Sequence, residues 1–289
     1  MDAVPSRTYA RRVAHRTKTA MAAALRLLPI LTALLAILTA LLAAVASARA
    51  ADMTVQQISM ALAKASETQP VDFSHRDLSY LDLSELDFKR ANLSGANLYG
   101  ADLSRANLAG ARLAGADLDH TLITATNFAG ADLSGVSLRD AEAFSTLEVS
   151  PAEAPNFAGA NLAGAHIIAR LSRSNMSGAN LAHVYMGTPR DHTILPLRSA
   201  LSGCNLANAS LVGAEFAGLD LSFADLSGAD LSHANLARAD LAHADLTGAD
   251  LTGADLTDAD LDETVLRRTK GLAEAKGIDT ARHHATAIR

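Results

Sequence analysis

A large apolar residue returns at every fifth position through two long stretches of this chain. The first stretch covers positions 73–138 and the second covers positions 201–266, with 14 such residues in each. An α-helix turns about 100° per residue and would scatter these side chains around its axis. A flat strand would send alternate ones to opposite faces. A coil that turns a corner every five residues keeps all of them inside, and four such units close a square of about 20 residues.

The repeating unit reads Ala-Asp/Asn-Leu-x-x, as in residues 224–228. The small Ala shares the interior with Leu, because two bulky residues on each side would overfill so narrow a square. Successive coils are expected to stack about 4.8 Å apart, with backbone hydrogen bonds running from coil to coil. A content of 4% aromatic residues and no Trp fits a thin core of Leu and Ala.

This pattern resembles the pentapeptide-repeat proteins, and the resemblance extends over residues 71–286. It implies an all-β fold, a right-handed quadrilateral parallel β-helix, which is a solenoid. Seven further units lie between the two long stretches, centred on Phe157, Leu162, Ile167, Leu171, Met176, Leu181 and Met186. The 35 units together predict about nine coils and roughly 40 Å of rod at the inter-strand spacing.

The two ends of the rod need covers, because an open β-helix end is an exposed edge. Apolar residues at helical spacing in residues 53–68 predict a short amphipathic capping helix, so residues 51–70 are assigned to the cap and the start of the coil. At the other end Leu266 is the last regular unit. Residues 271–278 are interpreted as an irregular closing turn, and the tail with His283 and His284 is interpreted as loose.

The first 50 residues have a different character. A basic segment precedes an uncharged stretch at residues 27–46, and Ala48 and Ala50 are the small residues that a signal peptidase reads. This arrangement predicts a secretory signal with cleavage after Ala50. The uncharged stretch is also long enough to span a bilayer, so an uncleaved anchor in the inner membrane stays open as the alternative. Both interpretations place the rod in the periplasm or otherwise outside the cytoplasm.

The charge balance argues against nucleic acid as a ligand. Without residues 1–50 the chain keeps 18 Lys and Arg against 30 Asp and Glu, a formal net charge of −12. Binding to phosphates requires the opposite sign. The lone Cys204 takes the Ala position of its unit, which predicts a small buried hydrophobe.

Two interruptions break the five-residue period, at residues 139–155 and 187–199. The first contains Glu142, Glu148 and Glu153 with two prolines. The second contains Arg190, Asp191 and His192. The seven units between them place the interruptions at neighbouring corners, less than two coils apart. They are either one interaction surface, since function concentrates on loops held by rigid scaffolds, or tolerated insertions.

Chemistry-bearing residues elsewhere have a simpler structural explanation. The Asp and Asn before each Leu exchange freely along the chain, which favours short polar side chains that bond the backbone at each corner over a Ca²⁺ site. His233 and His243 are two units apart, on opposite sides of the square, so they cannot share a metal. No nucleophile-base-acid set, phosphate-binding Gly loop or Cys/His metal spacing is present. We expect no catalytic residue, cofactor or metal.

These observations predict a non-enzymatic exported protein that acts as a rigid interaction scaffold in the cell envelope. Its protein partner is not specified by the sequence, residues 27–46 would supply the membrane tether, and a homodimer is compatible with the family. The alternative, implied by the resemblance, is a protein that mimics acidic DNA and binds the topoisomerase gyrase. An export signal argues against it, because gyrase is cytoplasmic.

Overall fold

The described part of the chain is a stack of short coils joined by parallel backbone bridges. The computed structural model describes residues 51–66, 68–88, 90–144, 150–186 and 199–288, which belong to one compact unit. One residue of each five-residue unit bridges to the corresponding residue of the next coil, as Asp72 does to Asn92 and Asn92 does to Arg112. The offset of 20 residues is that expected for four units per coil.

The bridging residues form four columns along the stack, which we call A to D. They begin at Asp72, Asp77, Asp82 and Asp87 respectively. Column A has ten levels, from Asp72 to Lys270, which corresponds to about 43 Å at the inter-strand spacing. Within the described residues, strands longer than a single bridge occur at β1 (Ser137–Arg139) and β2 (His166–Ile168), which pair in parallel with Leu138 opposite Ile167.

Where the bridging residue is Asp or Asn, the corner is turned by a side chain that bonds its own backbone. The Asp or Asn of a unit accepts a hydrogen bond from the N–H two residues later, as Asp225 Oδ1 does from Ser227 N at 2.9 Å. The residue after that has a left-handed backbone, whether it is a glycine or a side chain as large as Phe223, with φ 60°. These bonds confirm the interpretation of Asp and Asn as corner-forming residues.

The core consists of large apolar side chains, four from each coil of four units, flanked by Ala, as the five-residue period predicts. Phe128 and Phe157 stack in parallel with ring centroids 5.0 Å apart. Thr126 replaces an Ala and satisfies its hydroxyl by donating to Leu103 O at 2.8 Å. Cys204 is fully buried as predicted, and burial raises the pKa of its thiol to about 12.

Helix α1 (Val55–Lys64) precedes the first coil. Its N-terminus has a capping box in which Thr54 Oγ1 accepts from Gln57 N and Gln57 Oε1 accepts from Thr54 N, at 3.3 and 2.8 Å. Ile58 and Leu62 are buried in the core cluster. The helix is shorter than the predicted 53–68, because Ala65 is already extended. No helix in the described ranges has the length and apolarity needed to cross a membrane.

The C-terminal end differs from the prediction of a closing turn and a loose tail. Lys270, Lys276, Arg282 and Ile288 continue columns A to D by bridging to the preceding coil. This last coil therefore uses six residues per side instead of five. Gly271 and Gly277 have φ of 66° and 75°, and a Cβ at either position would overlap the backbone of Thr252 or Thr257. Only glycine permits this close approach to the coil before.

Candidate interaction surface at the two interruptions

The bridges show where the coil path opens. The first interruption lies between Glu142 in column C and Asn156 in column D and adds nine residues to the five-residue spacing. The second lies between Tyr185 in column B and Ala200 in column C and adds ten. The interruptions therefore leave from neighbouring corners, in agreement with the count of units between them. The step from His166 in column B to Arg170 in column C is four residues instead of five. The chain saves one residue there because β2 stays extended where other units turn a corner.

The candidate loop residues are only partly within the described ranges. Glu148, Arg190, Asp191 and His192 lie outside them, as do residues 1–50 with the predicted signal. Glu142 belongs to the coil and bridges to Leu122, so the first interruption begins later than the predicted residue 139. Two flanking residues explain the difference: Ala141 and Ala143 are buried and continue the core without a large apolar residue at the unit centre. Ser199 likewise belongs to the coil, because it is buried at the Ala position.

A groove of about 600 Å³ lies where the first interruption meets the coil. Leu122 occupies an Asp/Asn position there and is 36% exposed, so a large apolar side chain faces outward between Asp102 and Glu142 of its column. Ala125 N donates to Glu153 O at 2.6 Å and fixes the return of the chain. The charged residues that line the groove are Glu85, Asp102, Arg105, Glu142 and Glu153.

A polar cluster that the sequence analysis missed lies along column B, on coils before and after the first interruption. It consists of Asp119, Ser137, Arg139, His166 and Tyr185. Asp119 is nearly buried and accepts from Ser137 Oγ at 2.6 Å, from Arg139 N at 2.9 Å and from Arg139 Nε at 2.8 Å. Burial alone would raise the pKa of Asp119, but the hydrogen bonds from Arg139 and Ser137 outweigh it and hold that pKa below its usual range. Asp119 and Arg139 form a clasp across two successive coils.

His166 continues this cluster on the next coil. It is opposite Ser137 in the register of β1 and β2, and its ring meets Tyr185 edge-on with centroids 4.9 Å apart. Its Nε2 is buried without a hydrogen-bond partner. Burial, assisted by the charge of Arg139, lowers the pKa of His166. Because the Ser137 hydroxyl donates to Asp119 and not to an imidazole, the cluster lacks an activated nucleophile.

Metal binding has no geometric support in the described ranges, where no group of three or more His, Cys, Asp or Glu could hold an ion. His233 follows column A and His243 follows column C, so they lie at opposite corners as predicted. The stacked, self-bonded coils define a class of protein, a parallel solenoid that presents a long surface around a thin core.

Comparison with known families agrees with this class. The sequence model of pentapeptide repeats matches residues 71–105, 101–140, 198–236 and 229–268, with 8 copies. The chain belongs to the pentapeptide-repeat family. Proteins of this family form right-handed quadrilateral β-helices, and they are generally non-enzymatic structural or interaction proteins. Sequence comparison with curated proteins finds no match.

Several solved structures are similar to this chain. HetL, a pentapeptide-repeat protein involved in heterocyst differentiation regulation in the cyanobacterium Nostoc sp. strain PCC 7120, is 28% identical, with 78% of this chain and 94% of HetL covered and a TM-score of 0.41. QnrB1, a plasmid-mediated fluoroquinolone resistance protein, is 19% identical, with 70% of this chain and 89% of the QnrB1 chain covered and a TM-score of 0.25. Rfr23, a pentapeptide-repeat protein from the cyanobacterium Cyanothece 51142, is 25% identical, with 52% of this chain and 90% of the Rfr23 chain covered and a TM-score of 0.29. The family assignment rests on the repeat match and the coil bridges and not on these scores.

Proposed function

We propose that this protein is a non-enzymatic interaction scaffold of the cell envelope. The observation that carries the proposal is a regular coil stack interrupted twice, at neighbouring corners, within a span of seven units. A rigid rod with bonded corners holds such interruptions in fixed positions, and binding residues concentrate on loops held in this way. The groove with Leu122 and the cluster around Asp119 lie in the same part of the rod and would complete the surface. We take the hand of the coil to be right-handed, as in the family.

Export is the second part of the proposal. The basic segment, the uncharged residues 27–46 and the small residues before Ala51 support a signal cleaved after Ala50 or an uncleaved anchor. The test is subcellular fractionation with mass spectrometry of the N-terminus. A periplasmic form that begins at Ala51 supports the cleaved signal, and an intact form in the membrane supports the anchor. A soluble cytoplasmic form with an intact N-terminus would contradict export.

The interaction surface is tested by shortening the interruptions to the spacing of the repeat. One variant loses nine residues between Glu142 and Asn156, and a second loses ten between Tyr185 and Ala200. Matched controls replace the same residues with Gly and Ser at unchanged length. Affinity capture from envelope extract, after crosslinking, should lose the same partner with all four variants. A partner retained by every variant would show that the surface lies elsewhere on the rod.

Mimicry of DNA toward gyrase is the second candidate, and the charge of residues 201–266 favours it. This segment holds 12 Asp and Glu against one Arg. The measurement is a supercoiling assay with purified gyrase and the chain without residues 1–50. Inhibition or protection of gyrase, together with a cytoplasmic location, would place this function ahead of the envelope scaffold. No effect at a large excess of the protein would remove it.

A further inference from the structure

Phe223 is an exposed aromatic residue held in a backbone conformation that glycine would adopt more easily. Its side chain is 64% exposed, the largest fraction among the large hydrophobic residues of the described ranges, and its φ is 60°. A left-handed conformation costs a non-glycine residue about 1–2 kcal/mol. Exposure of the ring recovers little hydrophobic free energy in return. Neither packing nor corner geometry therefore requires a phenylalanine at this position.

The ring is held in place by its neighbours along one corner of the rod. His243 occupies the same corner position one coil later and stacks on Phe223 with centroids 4.7 Å apart and planes 18° apart. Glu263 follows on the next coil, with Oε2 3.3 Å from His243 Nδ1. On the other side of Phe223 the corner residue is Gly203, which has no side chain. One face of the ring is therefore supported, and the coil level beside its other face carries no side chain at the corner.

The surroundings of Phe223 are strongly acidic. Asp220 and Asp225 flank it in sequence, and the bridges stack Asp240 on Asp220 and Asp245 on Asp225. The acidic surface ends at Asp260, whose carboxylate is already paired with His283 at 2.8 Å and Arg282 at 3.4 Å. The four stacked Asp beside Phe223 accept hydrogen bonds from their own backbone but form no ion pair with any described residue. An aromatic face bordered by such carboxylates is complementary to a guanidinium or ammonium group, which gains cation–π and charge–charge attraction together.

We infer that the corner around Phe223 is a docking surface for an arginine- or lysine-rich segment of a partner protein, with Phe223 as the stacking anchor. This inference rests on the proposed scaffold function and adds a partner chemistry to it. It places recognition on residues 220–245 and does not require either interruption. Arg173 lies two coils from Phe223 on the same corner, with its Cγ 3.6 Å from the position of a Gly203 Cβ, and we expect its guanidinium to compete with a ligand for the ring face.

The test uses a fluorescein-labelled octapeptide of alternating Arg and Gly, with an alternating Glu and Gly octapeptide as the control probe. Binding to the chain without residues 1–50 is measured by fluorescence anisotropy. Phe223→Gly should weaken binding of the Arg peptide about threefold or more. Arg173→Ser should strengthen it, because it removes the competing charge. The Glu peptide should not bind.

Tyr80→Gly supplies the matched control. Tyr80 occupies the same position of its unit, has φ 57° and is 52% exposed, but lies in the less acidic first part of the rod. Both variants place glycine at a left-handed corner and should fold, which a thermal melt verifies. Equal affinities of the two variants for the Arg peptide would overturn the inference, since attraction would then depend on net charge alone. Such a failure would leave the capture experiment on the interruptions unaffected, so the two proposals fail separately.

Discussion

The first run, residues 71–140, and the last run, residues 201–266, share one kind of core and differ in how their outward columns are bonded. Both have a large apolar residue buried at each unit centre. In charge they diverge: the first run has ten Asp and Glu with six Lys and Arg, whereas the last run has 12 and one. The comparison shows that the position before each Leu can change its charge while the coil stays the same.

In the first run, side-chain hydrogen bonds between Asn and the Asp or Asn of the neighbouring coil stabilise the stacked columns. Asn92 Nδ2 donates to Asp72 Oδ1 at 2.9 Å, Asn107 Nδ2 to Asp87 Oδ1 at 3.1 Å, and Asn127 Nδ2 to Asn107 Oδ1 at 3.1 Å, so amides link successive coils. In the last run, columns A, C and D stack Asp on Asp, whereas the first run does so at Asp82 and Asp102 of column C. Ionised carboxylates cannot donate to each other. There each Asp still accepts from its own backbone, but like charges face each other along the rod. The last run therefore has weaker side-chain bonding between its coils than the first run, and a more negative surface.

The largest effect should come from the shared core. Leu98→Ala in the first run and Leu241→Ala in the last run each remove one of the four fully buried large side chains of a coil. We expect a loss of about 2–5 kcal/mol in the free energy of unfolding for each, because the narrow coil cannot collapse around the cavity. Urea denaturation followed by circular dichroism measures it. A loss in one run several times that in the other would contradict a common core.

Next in size is the clasp that belongs to the first run. Asp119→Asn keeps an oxygen to accept from Ser137 but removes the charge paired with Arg139, and should cost about 1–3 kcal/mol. Because its folded pKa is lowered, Asp119 stabilises the fold above its ordinary value of 3.8 and loses that contribution as the pH falls through the folded pKa. The variant should therefore lose less stability than the wild type below about pH 4. Asp102→Asn, which changes the same charge at an ordinary corner, is the control.

Features that recur in every unit could be predicted from the sequence, and features that occur once in the chain could not. Every large apolar unit centre was predictable because the same residue type recurs at the same spacing. The unit centred on Ala143 and the last coil, with six residues per side, were not predicted, because no large apolar residue occupies the centre of their units. The repetition of Lys-Gly at 270 and 276 was the available signal for that coil. The Asp119–Arg139 clasp joins residues 20 apart, so it becomes visible only when the coil length is used to align the chain. His166 and Tyr185 required in addition the register across the first interruption.

Two reciprocal substitutions test the difference in outward bonding, with a smaller effect. Asn107→Asp in the first run replaces an amide donor with a second carboxylate beside Asp87 and should destabilise the fold by about 0.5–1.5 kcal/mol. Asp240→Asn in the last run removes a like charge between Asp220 and Asp260 and should stabilise it by about 0.5 kcal/mol. Denaturation midpoints at low and high salt measure both. Changes of the same sign would refute the contrast between amide links and stacked carboxylates.

The smallest effect on stability should occur at the last coil, which has six residues per side and borders the acidic surface of the last run. His283 Nδ1 lies 2.8 Å from Asp260 Oδ1, and this contact raises the pKa of His283 above its ordinary value of 6.5. A raised folded pKa means that the contribution is fully present below pH 6.5 and is lost as the pH rises through the folded pKa. The backbone amides of residues 276–288 should therefore exchange hydrogen faster, after correction for intrinsic rates, at pH 8.5 than at pH 5.5. His283→Gln should abolish most of this difference while leaving residues 91–118 unchanged, and a pH effect of equal size in that first-run segment would show that it does not arise from His283. The contact matters for the comparison because it neutralises one carboxylate of column C and so sets where the exposed negative surface of the last run ends.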